Sequence, residues 1–460
     1  MVALARPSLP EWDYYARTVK SFHMMEEAKK VLPNGVTANI KSFDPYPIVM
    51  NHGSGAYLTD VDGNEYVDYL LAYGALMVGH GHPKIKEAII QQMERDGTNL
   101  FGTPHELEVT LGKRIQQYYP SMELLRYTNS GTEATLLAIR LAAAYTGKNA
   151  IAKFEGHYHG GYDQVLFSIN PDKQEMGPEH APRAVPESKG IDPYYQKNTF
   201  ILPFNDLEST EEILRKHQDQ IAAVILEPVQ GGFIPATNTF MQGLRKITKE
   251  LGIVLIFDEV KTGFRIGIGG AQGYYNVKPD LTTLGKVIGG GFPFGIVGGK
   301  REIMMESAPR ASADVFDISQ SKKSKASEVL FHSGTYNGHP TVLAVAHTVL
   351  DILEEDGNHT LEYAEELKSS LEQLFFKKGI PMKATGLGTI FNVVIYENEV
   401  RNYRELQNSD LAMRKTLDYN LLQEGIYTKP LNRYSISVFH REKELEKTLD
   451  AYEKVLTEKI

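Results

Sequence analysis

Asp258 and Lys286 are the two side chains whose chemistry asks most of their surroundings. Asp258 follows the five apolar residues IVLIF, 253–257, which deliver it to the end of a buried strand. A carboxylate left there alone costs several kcal/mol, so it must be paired or protonated. A cationic ring nitrogen is one fitting partner; a structural ion pair or a helix cap is another. Lys286 closes its own run, PDLTTLGK, and is the only charged residue between Asp280 and Lys300. A partly desolvated amine has a lowered pKa and can act as nucleophile and proton carrier. The glycines that follow it, in GKVIGGGFPFG, are expected to leave room around that amine.

A third motif, NSGTEATLLAIR at 129–140, places small hydroxyl residues and a glycine at the start of a helix. The first N–H groups of a helix have no intrahelical partner and sit at its positive end, which makes a cradle for phosphate. Gly131 allows close approach, and Ser130 or Thr132 adds a hydroxyl donor; an ordinary N-cap uses the same residues. Acid, amine and anion cradle together are the set that pyridoxal phosphate needs.

Other readings of the unusual stretches fail on spacing. No GxxxxGK[ST] is present, and RIGIGGAQG, 265–273, puts Gln272 where a dinucleotide fingerprint needs its third glycine. The histidine pairs in GHGHP, 79–83, and EGHYHGG, 155–161, lack a third ligand on clear spacing and read as capping or packing, so no metal is expected. The acidic run in GSGAYLTDVDGNEYVDYL, 53–70, has the wrong spacing for calcium. It reads as a hairpin turning at Asp62-Gly63.

The elements that must position these groups form an α/β pattern. AAVIL (222–226) and IVLIF are short continuous apolar runs, as strands buried on both faces of a parallel sheet are. Ala134, Leu137, Ala138 and Leu141 mark one helical face between strands. The result is a three-layer arrangement, which binds ligands at the carboxyl ends of its strands. Further on, TIFNVVIY (389–396) and YSISVF (434–439) read as strands, and Leu445, Leu449, Tyr452 and Leu456 as a last amphipathic helix. These suggest a smaller α+β domain. SQSKKSKASE, 319–328, is polar and lysine-rich and reads as a loop between the two domains.

Composition bounds the rest. The 460 residues carry a formal net charge of −9, which offers no basic field for nucleic acid or anionic lipid. There is no cysteine, so disulfides, thiolate catalysis and thiolate-bound zinc are excluded. The start, MVALARPSLPEWDYY, does not read as a secretory signal, and LLAYGALMVG is about half of a membrane span. A cytoplasmic protein without nucleic-acid or membrane partners is expected.

NSGTEA, FEGHYHGG, LEPVQGG, FDEV, TTLGKVIGGGFPFG and HSGTYNGHP, in this order, resemble the class III pyridoxal-phosphate aminotransferases of fold type I. The subgroup resembled is that of glutamate-1-semialdehyde aminomutase and the β-amino-acid aminotransferases. The resemblance runs from PNGVTANIKSF, 33–43, to the last helix. It implies an N-terminal segment with the hairpin (1–75), packing with the small domain. A large cofactor domain with a mostly parallel sheet (76–335) and a small α+β domain (336–460) follow. It implies that Lys286 forms the internal aldimine, a Schiff base, with pyridoxal phosphate, and that Asp258 keeps the ring nitrogen protonated. Val260 and Tyr158 would flank the ring, and Ser130, Gly131 and Thr132 would hold the phosphate. Thr335 would reach it from the partner subunit of a homodimer with shared sites. Glu227 would lie near the cofactor.

Departures bear on substrate. Lys41 stands where the aminomutase pattern has an arginine for the substrate carboxylate, and Ala38 where the β-amino-acid enzymes place theirs. Asn432 replaces an aminomutase glutamate, with Arg433 beside it as an alternative carboxylate contact. The segment 308–331 is longer than the aminomutase's gating loop. The leading expectation is therefore a transaminase moving an amino group from an amino donor, β- or ω-amino favoured, to a carbonyl acceptor. The aminomutase of tetrapyrrole synthesis is the alternative.

Overall fold

The apolar runs read as buried strands lie side by side in a seven-stranded sheet. A computed structural model of the chain describes residues 14–309 and 329–458. In chain order the strands are β1 (Leu124–Thr128), β2 (Ala150–Phe154), β3 (Thr199–Leu202), β4 (Ile221–Leu226), β5 (Val254–Asp258), β6 (Leu281–Gly285) and β7 (Gly295–Gly299). Their spatial order is β1-β7-β6-β5-β4-β2-β3. Only β7 runs against the others, antiparallel to both β6 and β1. The carboxyl ends of β1, β5 and β6 therefore share one edge of the sheet. Every residue of β2, β4, β5, β6 and β7 is buried, which is why these strands read as continuous apolar runs rather than alternating ones.

Helix α1 (Gly131–Thr146) follows β1 and lies on the sheet. Its buried face carries Ala134, Leu137, Ala138 and Leu141, packed with Ile225, Ile256 and Leu281 from three strands. The small alanines bring the helix backbone close to the sheet. The helix stops at Gly147, whose φ of 69° is the left-handed conformation glycine adopts without penalty.

The described residues divide into two units. The sheet unit runs from Lys84 to Gly357 and includes Val400–Leu406; the other gathers the residues up to Pro83, Asn358–Glu399 and those from Gln407 onward. In the second unit Met50–Ser54, Tyr57–Asp60 and Glu65–Asp68 form an antiparallel meander, joined in parallel by Ile426–Tyr427 from near the other chain end. The Asp62-Gly63 turn is present, and Asp60 Oδ1 accepts the N–H groups of Asp62 and Asn64 at 3.0 and 2.8 Å. The acidic run thus closes a turn. A second sheet joins Lys383–Leu387, Ile390–Val394 and Tyr434–Ser435. Helix Glu442–Glu458 buries Leu445, Tyr452 and Leu456 against it, with Leu449 partly covered.

YSISVF is a strand only at its first two residues. Beyond them Ile436 N–H donates to Thr389 O at 3.0 Å and Val438 N–H to Met77 O at 2.9 Å, so its bonds go to irregular backbone instead of a ladder. The loop expected at 319–328 lies outside the described residues, as does most of 308–331. Among the described residues no helix is long and apolar enough to cross a membrane.

Candidate active site

Asp258 ends β5 with its side chain 5% exposed, and three donors hold it. His159 Nδ1 lies 2.7 Å from Oδ2, while Val260 N–H and the Thr283 hydroxyl donate to Oδ1 at 3.1 and 3.2 Å. A carboxylate has about four lone-pair sites, so one acceptor direction remains for a further donor. Thr283 is the direct neighbour of Asp258 in the β5–β6 register, which ties this acid to the strand that leads to Lys286.

The helix N-terminus opens on the same edge. Ser130 is the N-cap: its Oγ accepts Glu133 N–H at 3.1 Å, and its carbonyl accepts Ala134 N–H at 3.1 Å. Glu133 reaches back to Asn129 N–H at 2.6 Å, a variant of the capping box. The N–H groups of Gly131 and Thr132 are left without intrahelical partners, as an anion site requires. The expectations of a cap and of a cradle are therefore compatible.

Gly131 is needed for proximity. A Cβ there would sit 2.6 Å from Val260 Cγ1, and one on Gly285 would meet the same methyl at 3.3 Å and Gly131 Cα at 3.6 Å. The start of α1, the residue two past Asp258 and the residue before Lys286 thus touch one another. Gly131→Ala is expected to force Val260 aside, costing about 1–3 kcal/mol of stability and weakening cofactor retention. Thermal unfolding and cofactor loss on dilution measure both.

Lys286 is the first residue past β6, partly buried, with a φ of 48°. A side chain in left-handed backbone is strained by about 1–2 kcal/mol, and such residues concentrate at functional sites. Two of the glycines after it are needed for close packing. A Cβ on Gly290 would meet Val345 Cγ1 at 2.7 Å and Val349 Cγ2 at 2.9 Å, and one on Gly289 would meet Phe294 Cβ at 3.1 Å. Gly289 and Gly290 let the loop pack closely on its neighbours, which fixes the backbone beyond Lys286.

Tyr158 and Glu227 meet on a second loop. Tyr158 N–H donates to Glu227 Oε2 at 3.0 Å, and Gly231 N–H to the same oxygen at 3.3 Å. Burial alone would push the Glu227 acid up, but the adjoining Lys261 ammonium, paired with it directly, outweighs burial and holds the carboxyl at about 2. Its contribution to stability is therefore present above the ordinary carboxyl range and fades only as pH falls towards that value. His157 accepts Glu227 N–H on Nδ1 at 3.0 Å, and burial keeps its ring neutral. The Tyr158 ring is 43% exposed, and Gly160, two residues on, lies against Thr132 of the cradle.

The structure thus brings Ser130, Gly131, Thr132, Tyr158, Glu227, Asp258, Val260 and Lys286 together within the sheet unit. Thr335 lies exposed on the same unit. Lys41 and Arg433 belong to the other unit. There Lys41 Nζ donates to Thr37 Oγ1 at 2.8 Å and Arg433 Nη2 to Tyr73 O at 3.1 Å. Two functional neighbours escaped the sequence reading. His159, which the sequence presents as a capping or packing residue, bonds Asp258 across 99 residues. Lys261 stood in plain view in FDEVKTGFR with no partner suggested.

These groups fit pyridoxal phosphate. Unpartnered N–H groups at a helix start suit the phosphate, a buried carboxylate with a free acceptor direction suits the ring nitrogen, and Lys286 supplies an amine on the adjoining strand end. Residues 39–456 match the family model described as aminotransferase class-III. A glutamate-1-semialdehyde 2,1-aminomutase of Ignicoccus hospitalis is 40% identical over 446 residues, covering 95% of this chain and 99% of that one. Among solved structures, an omega-transaminase from Sphaerobacter thermophilus superposes with a TM-score of 0.86 at 34% identity, covering 97% and 99% of the two chains. A transaminase with PLP bound gives 0.82 at 32% identity, covering 96% and 97%. The chain belongs to the class III aminotransferases, enzymes of the type I fold that work with pyridoxal phosphate.

Proposed function

We propose that this enzyme is a glutamate-1-semialdehyde 2,1-aminomutase, moving an amino group between neighbouring carbons of one small acidic substrate. The observation that carries this reading is the 40% identity to an aminomutase of that name along nearly the whole of both chains. It moves the weight from transfer between two molecules, which the sequence departures favoured, to transfer within one.

Bound pyridoxal phosphate supplies an aldehyde that takes up amines and a ring that accepts electrons. Lys286 Nζ would be the amine that holds the cofactor at rest. With the cofactor bound, the same Nζ would be the base that takes a proton from the amine-bearing carbon and delivers it where the product needs it. Asp258 keeps a proton on the ring nitrogen, and His159 and Thr283 fix its carboxylate. Gly131 and Thr132 N–H, with the Ser130 and Thr132 hydroxyls, bind the phosphate. Tyr158 and Val260 would orient the ring. Thr335 reaches the phosphate of a second copy, in a cytoplasmic homodimer with shared sites.

A second reading, a transaminase with a β- or ω-amino donor and a separate carbonyl acceptor, has its own support. Lysine at position 41 loses the bidentate fork of an arginine, Asn432 replaces a glutamate, and the Sphaerobacter neighbour is an omega-transaminase. Glutamate-1-semialdehyde given to the holoenzyme without any added amino acceptor separates the two. The aminomutase reading expects continuous formation of 5-aminolevulinate. No product with this substrate, together with turnover of a β- or ω-amine once a keto acid is added, would overturn it in favour of the transaminase.

A further inference from the structure

Lys261 sits three residues past Asp258, with its side chain only 10% exposed, and nothing in the proposed chemistry uses it. Its Nζ pairs with Glu227 Oε1 and lies 5.4 Å from the centroid of the Tyr158 ring, within range for a cation–π contact. The other oxygen of the same carboxylate takes the N–H groups of Tyr158 and Gly231. Glu227 is itself 1% exposed and its own N–H is tied to His157. One ammonium thus holds Tyr158 twice, through its ring and, by way of Glu227, through its backbone. The tether starts from the turn that carries Asp258 and Val260.

We infer that Lys261 is a positioning residue that sets the aromatic wall of the cofactor site by pairing with Glu227 and holding the Tyr158 ring opposite Val260. This rests on the reading of Tyr158 as one wall of the cofactor site. A buried ion pair is a costly way to hold a loop, and removing one partner leaves the other charge buried and uncompensated. Without Lys261, the titratable groups facing the Glu227 carboxylate are His157, kept neutral by burial, together with the His159 ring, the Tyr158 phenol and Lys153. Lys153 is fully buried and pushed down by burial to about 7. Glu227 then takes up a proton at low pH and stays in place, still accepting from Tyr158. As pH rises it ionises without a partner and turns towards water, taking Tyr158 with it. A neutral amide in its place has no such conflict.

The test compares the full-length holoenzyme with Tyr158→Ala, Lys261→Met, Lys261→Arg and the double variant Glu227→Gln/Lys261→Met. The readouts are the cofactor dissociation constant after dilution and the visible circular dichroism of the bound cofactor, between about pH 5 and pH 8, the range in which an unpaired buried carboxyl titrates. Lys153 and the cofactor phosphate titrate in every protein compared, so the quantity read is the ratio of variant to wild-type Kd. Lys261→Met is expected to raise this ratio about tenfold at the upper end, the scale of coupling within one ion-pair network, and the ratio should grow with pH. The double variant is expected to flatten the pH dependence and recover most of the affinity and dichroism. Lys261→Arg, which keeps the charge, guards against a fold lost through the methionine.

If Tyr158→Ala weakens binding while Lys261→Met leaves affinity and dichroism unchanged, the inference is overturned. The same follows if Lys261→Met weakens binding equally at every pH and the double variant is no better. If Tyr158→Ala itself has no effect, the reading of Tyr158 as a cofactor wall fails first, and the inference falls with it.

Discussion

Lys286→Ala is expected to lose at least about 10⁴-fold in turnover, because in the proposed roles one change removes both the amine that would hold the cofactor and the base that would carry the proton. Little else should change. The residue is only partly buried, and alanine occupies the same left-handed backbone as lysine, so the unfolding temperature should stay close to wild type. The cofactor should still bind through Ser130, Gly131, Thr132 and Asp258, but it should wash out on gel filtration and show the spectrum of a free aldehyde. A small primary amine added to the buffer is expected to restore a fraction of the proton transfer, since it can replace a missing Nζ in a site that is otherwise intact. A variant that keeps more than a tenth of wild-type turnover would show that another group does this work.

Asp258→Asn has the second-largest expected effect, a fall in kcat of about 10²–10⁴-fold. The amide has nearly the same shape and can keep bonds to Val260 N–H and Thr283, but it cannot hold a proton on the ring nitrogen. His159 then also loses a charged partner at 2.7 Å. Because the replaced acid is buried, a neutral isostere relieves a desolvation cost. Thermal stability should therefore be equal to or above that of wild type. The combination is diagnostic: loss of rate at undiminished stability, measured on the half-reaction with an amino substrate under single-turnover conditions. A parallel fall in melting temperature and rate would mean that Asp258 is structural, the other partner its sequence context allowed.

Much of this site was legible in the chain because its parts lie at the ends of strongly patterned elements. AAVIL and IVLIF are β4 and β5, parallel neighbours, and Ala134, Leu137, Ala138 and Leu141 all lie on the buried face of α1. An acid and an amine that each close an apolar run must emerge at the edge of a parallel sheet, and Asp258 and Lys286 do. What escaped depends on contacts between distant segments. His159 and Glu227 find their partners 99 and 34 residues away, and the H-x-H spacing in EGHYHGG says nothing about the two rings parting, one to Glu227 N–H and the other to Asp258. The packing of Gly290 is hidden from the sequence for a related reason: its neighbours, Val345 and Val349, lie on the helix Pro340–Lys377, far along the chain. The choice between aminomutase and transaminase turned on single positions such as Lys41 and Asn432. The 40% identity to an aminomutase along nearly the whole chain is what weighs the other way.

Borohydride reduction of the holoenzyme, followed by proteolysis and mass spectrometry, tests most directly whether this edge of the sheet is the catalytic centre. Reduction turns the resting link between cofactor and protein into a stable secondary amine. A single pyridoxyl-phosphate adduct on the peptide that carries Lys286 is the result predicted. An adduct on Lys261 or any other lysine, or no adduct in a fully loaded enzyme, would contradict it.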